Sequence, residues 1–143
     1  MTEKILIDTN IFIYAYTGDD ERKHAISRDL LRNNVLRNEI IVSVQILNEF
    51  YVVMTKYKYA HNEIKLCMNE IIEQVKVTPL ELETVKQCIA VREKYRYSWW
   101  DSLVLASALE NDCAIVYSED MQSGQIIENK LRIINPFTES PEE

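Results

Sequence analysis

The chain has 143 residues, a formal charge of −7 and only two glycines. A single domain of this length buries roughly two thirds of its unfolded surface, and no Pro-, Gly- or Ser-rich stretch offers a linker to a second one. The acidic balance excludes a protein that coats nucleic acid through a basic face, but not a nuclease whose carboxylates gather a divalent cation.

Lys4 to Ile7, followed by Asp8-Thr9-Asn10, reads as a buried strand ending in turn-prone residues, with a brief helix through Ile11 to Tyr16. Thr17-Gly18-Asp19-Asp20 breaks that helix, and Asp19 or Asp20 caps a second one reaching about Asn33. The β-branched run Glu39 to Ser43 predicts the second strand, and Val44 to Lys58 a helix whose polar strip is Gln45, Asn48, Glu49 and Lys56. Helices follow at His61 to Val75 and Leu80 to Lys94, divided by Lys76 to Pro79 with room for a short strand. Ser98-Trp99-Trp100-Asp101 opens a helix that is apolar or small from Leu103 to Leu109 except at Ser107, so it should be covered on most sides. The two tryptophans beside Asp101 suggest burial there as well. A strand at Cys113 to Tyr117, a helix starting near Met121 under an Asp120 cap, and a last strand at Arg132 to Ile134 complete the pattern. Residues 1–137 are expected to form one domain and the acidic stretch 138–143 a fraying tail.

Cys67, Cys88 and Cys113 are odd in number, widely spaced and apolar in context. They predict buried thiols, a reducing cytoplasmic setting and no thiolate zinc site. The run from Ile5 to Tyr16 lacks a basic lead-in and a small-residue cleavage pattern, so a signal peptide is not expected, and no apolar run approaches a membrane span.

Strands alternating with helices of ten or more residues imply parallel βαβ units, with ligands at the carboxyl edge of the sheet. That rule bears on four acids. Each has an ordinary explanation: an Asx turn or cap for Asp8, a surface helix position for Glu49, a capping box Ser98-x-x-Asp101, and a helix cap for Asp120. Yet Asp8 and Asp120 both follow strands, Asp101 heads a helix that runs back into a strand, and Glu49 is within roughly 10 Å of the start of the helix after the second strand. Four carboxylates from four segments would share one rim, where they raise one another's pKa values unless a cation intervenes. All-oxygen donors without His or Cys favour Mg²⁺ or Mn²⁺, and such a site suits phosphodiester hydrolysis.

Ile-Leu-Ile-Asp8-Thr9-Asn10, Gln45-x-x-Asn48-Glu49-Phe50, Trp100-Asp101 with Ala108, Ser118-Glu119-Asp120-Met121-Gln122-x-Gly124-Gln125 and Ile134-Asn135-Pro136-Phe137 together resemble the PIN-domain proteins, specifically toxin ribonucleases of the VapC type. The resemblance implies a three-layer α/β/α fold around a mostly parallel sheet of four to five strands. It also implies Mg²⁺- or Mn²⁺-dependent RNA cleavage, a homodimer and inhibition by a small antitoxin protein. It carries Asp8, Glu49, Asp101 and Asp120 over as the catalytic and metal-binding acids, with Thr9 and Asn10 orienting Asp8. Ser118-Glu119-Asp120 leaves Glu119 and Asp120 as alternatives for the fourth acid. In the mechanism so implied, water attacks phosphorus in line and leaves a 5′-phosphate and a 3′-hydroxyl.

Two runs interleave basic and aromatic residues as single-stranded RNA contacts do, and they offer Lys56, Lys58, Arg96 and Tyr97. Basic residues at helix C-termini are also favoured by the dipole alone. His24 and His61 read as surface residues. A receiver domain needs an acidic pair after the first strand, and a haloacid-dehalogenase phosphatase needs an acid at position 10, where Asn10 stands. The remaining alternative is a PIN-like module that binds or regulates without cleaving.

Overall fold

The computed structural model describes residues 2–138. Six strands form one sheet in the order β3-β2-β1-β4-β6-β5, comprising β1 (Lys4–Ile7), β2 (Glu39–Ser43), β3 (Lys76–Thr78), β4 (Ile115–Tyr117), β5 (Ile126–Ile127) and β6 (Leu131–Ile134). All pairings are parallel except that of β5 with β6. Six helices connect them: α1 (Thr9–Tyr16), α2 (Glu21–Arg37), α3 (Val44–Lys56), α4 (His61–Gln74), α5 (Leu82–Tyr95) and α6 (Trp99–Glu110). This is the mixed α/β architecture around a mostly parallel sheet that the alternating pattern predicted.

The chain moves outward from β1 through β2 to β3, then returns to the other side of β1 to lay down β4. With right-handed crossovers this reversal puts α1–α4 over one face and α5–α6 over the other. The packing agrees, since α1 touches α2 and α3, α3 touches α4, and α5 touches α6. The aliphatic centre of the sheet, Ile5, Leu6, Ile7, Ile40, Ile41, Val42 and Val116, is buried between Phe12 and Phe50 on helices α1 and α3 and Leu105 on α6. Every residue from Ser102 to Leu109 is buried, so α6 is covered all round as its composition required. Among the described residues no helix is long and apolar enough to cross a membrane.

Two expectations are corrected near the end of the chain. No helix starts at Met121; residues 118–125 make turns, and Met121 turns inward to the core. The strand β5 was not foreseen, and it takes the sheet to six strands. It is two residues long and pairs with β6 through Glu128 and Asn129, both in the left-handed region, with Lys130 N–H donating to Ile127 O at 3.1 Å. Ile127 pairs with Leu131, so three residues, Glu128, Asn129 and Lys130, make the loop, and the usual Asn-Gly signal is missing. Gly124, at φ 89°, lets the turn before β5 close so that its N–H donates to Ile133 O at 2.7 Å. The expected tail lies outside the described residues except for Thr138.

Candidate active site

The direction of the chain reverses between β1 and β4, and at such a switch point the two following connections diverge and leave a crevice at the carboxyl edge. Asp8 and Ser118 flank it. Asp8 N–H donates to Tyr117 O at 3.0 Å, which continues the β1–β4 ladder one residue past the strands. Asp8 is also the N-cap of α1, and its Oδ1 accepts from Thr9 N–H at 2.7 Å. Its Oδ2 accepts from the Ser118 hydroxyl at 2.9 Å. The residue is only 6 % exposed. Burial pushes its carboxyl up to about 7, with the Asp101 and Glu49 carboxylates adding to the rise and the two hydrogen bonds opposing it.

The other three acids surround it. Glu49 is one turn into α3, where its Oε2 accepts from the Thr9 hydroxyl at 2.8 Å and its Oε1 from Gln45 Nε2 at 2.9 Å. The same Gln45 nitrogen reaches Trp100 O at 3.4 Å and so ties α3 to the start of α6. Ser98 caps α6 by accepting from Asp101 N–H at 3.1 Å. The capping reading of this motif is therefore correct for the backbone, while the Asp101 carboxylate is left half-buried; burial, Asp120 and Glu49 raise its pKa, and a hydrogen bond to Ser98 lowers it. Asp120 accepts from Asn10 Nδ2 at 2.7 Å, and its N–H donates to Ser118 Oγ at 3.2 Å. Burial and Glu119 raise the Asp120 pKa against Asn10 and Lys23.

Thr9 and Asn10 thus do more than orient Asp8. Only the Thr9 N–H serves Asp8, whereas the Thr9 hydroxyl serves Glu49 and the Asn10 amide serves Asp120. Glu119 faces another way, pairing with Lys23 Nζ at 2.8 Å and accepting from the Tyr14 hydroxyl at 2.5 Å. Lys23 lies over the Tyr14 and Phe137 rings, 4.9 and 5.3 Å from their centroids.

Among the described residues no three His, Cys, Asp or Glu side chains stand close enough together to hold one ion. The donor set nonetheless fits a hard divalent cation in kind. Every donor is oxygen, and the burial that lifts Asp8 and Asp101, with the neighbouring carboxylates adding to it, penalises a negative charge that a dication compensates.

The PIN domain family model matches residues 5–124. The chain belongs to the PIN-domain family. No curated protein sequence matches it significantly, but solved structures do match its fold. A toxin–antitoxin complex from Klebsiella pneumoniae aligns with a TM-score of 0.70 at 17 % identity, covering 92 % of this chain and 97 % of that one. VapBC2 from Rickettsia felis, bound to a promoter DNA fragment, gives 0.69 at 14 % identity over 92 % and 99 %. The toxin VapC20 from Mycobacterium tuberculosis, which cleaves the sarcin-ricin loop, gives 0.65 at 18 % identity over 81 % and 89 %.

In this PIN domain the basic and aromatic residues offered by the sequence divide. Lys56 lines a cleft of about 500 Å³ together with Thr9, Asn10 and Glu49. Lys58 and Arg96 adopt positive φ where α3 and α5 end and are not among the residues of that cleft. The Tyr97 hydroxyl donates to Gln125 Oε1 and accepts from Gln122 N–H at 3.1 Å, which fastens the turn after β4. The tryptophans are not buried. Trp99 is 38 % and Trp100 60 % exposed, and Trp100 joins the cleft lining. The sequence offered Trp100 as a sign of burial and as part of a family motif but not as a cleft residue, because a residue preceding an apolar stripe has no periodicity of its own to say which way it faces. Of the histidines, His24 Nδ1 lies 2.8 Å from Tyr14 O and His61 Nδ1 lies 3.0 Å from the Tyr51 hydroxyl.

Proposed function

We propose that this PIN domain is a Mg²⁺- or Mn²⁺-dependent endoribonuclease and the toxin of a toxin–antitoxin pair. The observation that carries the reading is the rim itself: Asp8, Glu49, Asp101 and Asp120 come from four separate segments, all but Asp101 are joined through Thr9, Asn10 and Ser118, and none of the four has an ion pair among the described residues. A purely structural role for these acids would have brought a Lys or Arg among them. The basic residue that does approach, Lys23, is paired with Glu119.

Asp8 and Asp101 would hold the cation, with Glu49 and Asp120 completing its shell through water or aligning the attacking water. When bound, the cation supplies neutralisation of charge on the scissile phosphate and a more acidic water. The chain's own groups do the positioning. Two donors fix Asp8, the Thr9 hydroxyl and Gln45 amide fix Glu49, and Asn10 fixes Asp120. The substrate is RNA, and the reaction leaves a 5′-phosphate and a 3′-hydroxyl. A small antitoxin protein is the expected inhibitor, in keeping with the toxin–antitoxin complexes of similar fold. A second copy of the chain is expected on the exposed apolar stripe Leu82, Val85 and Ile89 of α5, and the unpaired cysteines suit the cytoplasm.

RNA cleavage assayed with Mn²⁺ or Mg²⁺ tests this reading. The parent cleaves, chelation stops it, and Asp8→Asn and Asp101→Asn lose more than the roughly 10–100-fold that an outer-shell change costs, with folded circular dichroism spectra. A parent inert with either metal, or variants as active as the parent, would leave a binding module that does not cleave.

A further inference from the structure

The cleft beside Glu49 is more than an extension of the acidic rim. Thr9, Asn10 and Glu49 line it together with Val52, Leu80 and Trp100. Its volume of about 500 Å³ falls within the ~300–1,000 Å³ of ligand pockets. A tryptophan 60 % exposed beside an exposed valine is a costly surface to leave in water, and its flat face is the surface on which a nucleobase stacks. Two polar groups suit the same occupant. The Asn48 amide nitrogen donates to Val44 O at 2.8 Å, so its carbonyl oxygen is left as an acceptor for a base N–H. Lys56 lines the cleft and has no ion pair among the described residues, so it is a free cation for a phosphate in a chain of charge −7. The wall is also unfinished by protein groups alone. Gln45 Nε2 faces two acceptors, Glu49 and the Trp100 carbonyl, which fixes the amide's orientation and leaves Oε1 buried without a donor.

We infer that this cleft is a nucleobase subsite: one unpaired base of the RNA stacks on Trp100 and is met at its edge by Asn48, with Lys56 on a flanking phosphate and the scissile phosphate beyond Glu49. The inference rests on the ribonuclease reading and narrows it to substrates with an unpaired base at the site of cleavage, since a base held in a duplex stack cannot present its face to a side chain. Gln45 couples the two halves, because one amide nitrogen bonds both the Glu49 carboxylate and the backbone of Trp100.

Binding in EDTA separates recognition from cleavage. The Trp99→Phe background leaves Trp100 as the sole tryptophan, and Trp99 is outside the cleft lining. Titration with a short single-stranded RNA is expected to quench Trp100 emission, and the matching duplex to leave it unchanged. In the parent, followed by anisotropy of a labelled RNA, Trp100→Ala weakens binding about 5- to 100-fold while Trp100→Phe stays within a few-fold. Lys56→Ala lowers the slope of log affinity against log salt by about 0.7. Trp100→Phe retains an aromatic ring, so a loss confined to the Ala variant is a loss of stacking and not of fold. Absent quenching, equal quenching by the duplex, or unchanged affinity of Trp100→Ala overturns the subsite and leaves the cleft to a protein ligand. If the parent cleaves RNA with Mn²⁺ in that event, the ribonuclease reading survives; if the parent neither cleaves nor binds RNA, both fall.

Discussion

Replacing Asp8 by Asn should stabilise the metal-free protein at neutral and alkaline pH while it abolishes activity. The Asp8 carboxyl stands at about 7 in the folded chain against 3.8 when free. Between those values the native state holds a proton that the unfolded chain has released, so stability falls as pH rises from about 4 to about 7 and is level on either side. A difference of about three units corresponds to ~4 kcal/mol of ionisation cost, present in full above pH 7. The Asn variant does not titrate and escapes that cost. Its amide oxygen cannot accept from both Thr9 N–H and the Ser118 hydroxyl, which offsets the gain by about 1 kcal/mol. The variant should therefore exceed the parent by about 3 kcal/mol at pH 8, a melting point higher by roughly 10 °C, and fall about 1 kcal/mol below it at pH 4. Urea unfolding of both proteins in EDTA across this range measures the crossing. Saturating Mg²⁺ at pH 8 should raise the parent and not the variant, because the cation needs the carboxylate. Parallel pH profiles, or a variant less stable than the parent at pH 8, would refute the account of Asp8 as a buried, uncompensated acid.

Removing the Ser118 hydroxyl takes away a hydrogen bond that lowers the Asp8 pKa, so Ser118→Ala should move the Asp8 titration above about 7, as read by carboxyl carbon NMR; a downward move contradicts the assigned bond. Glu119→Gln breaks the pair with Lys23 and loosens the turn that carries Asp120, so kcat should fall a few-fold to about tenfold, whereas Asp120→Asn should cost more. Equal losses would make Glu119 the fourth acid. Ser98→Ala removes the cap of α6 and should cost about 0.5–2 kcal/mol in a denaturant series, with an unmoved midpoint counting against the cap. Tyr97→Phe loses its bonds to Gln122 and Gln125 and should cost about 1–2 kcal/mol of stability without weakening RNA binding; weakened binding at full stability would return Tyr97 to the RNA interface.

What was legible in the sequence follows from how local each signal is. The all-round apolar helix α6, the β-branched strands and the acids at strand ends are decided within a few residues, and chain direction alone places those acids at one edge. The rest depends on groups far apart in sequence. The pairing that turns Glu119 away from Asp120 comes from Lys23, 96 residues away, and no spacing rule reaches that far. Strand β5 is two residues long and its turn has Asn129 where a hairpin signal would show glycine, so the run reads as a helix cap. Trp99 and Trp100 were expected to be buried because they are large and apolar, but position N-terminal to a buried stripe does not make them part of it. Tyr97 lies in a basic-aromatic run, and the bonds its hydroxyl makes to the turn after β4 come from residues 25 and 28 positions away, beyond any local signal.

The hydrogen bonds around the rim explain why three consecutive residues, Asp8-Thr9-Asn10, matter more than a lone acid would. Asp8 presents the buried carboxylate, Thr9 donates to Glu49, and Asn10 donates to Asp120. The turn that follows β1 therefore holds acids from α3 and from the loop after β4 at once, and Ser118 closes the ring by donating back to Asp8. Asp101 alone receives no bond from this turn; it is placed by the Ser98 cap and by Gln45 gripping the neighbouring carbonyl. Three acids are thus registered to β1 and the fourth to α6. A shift of α6 along the sheet would change the separation of Asp101 from Asp8 while leaving the other distances intact. The bond from Gln45 to the Trp100 carbonyl opposes that shift, and an occupant stacked on Trp100 would oppose it further, so recognition of a base and assembly of the acidic site would be set by the same contact.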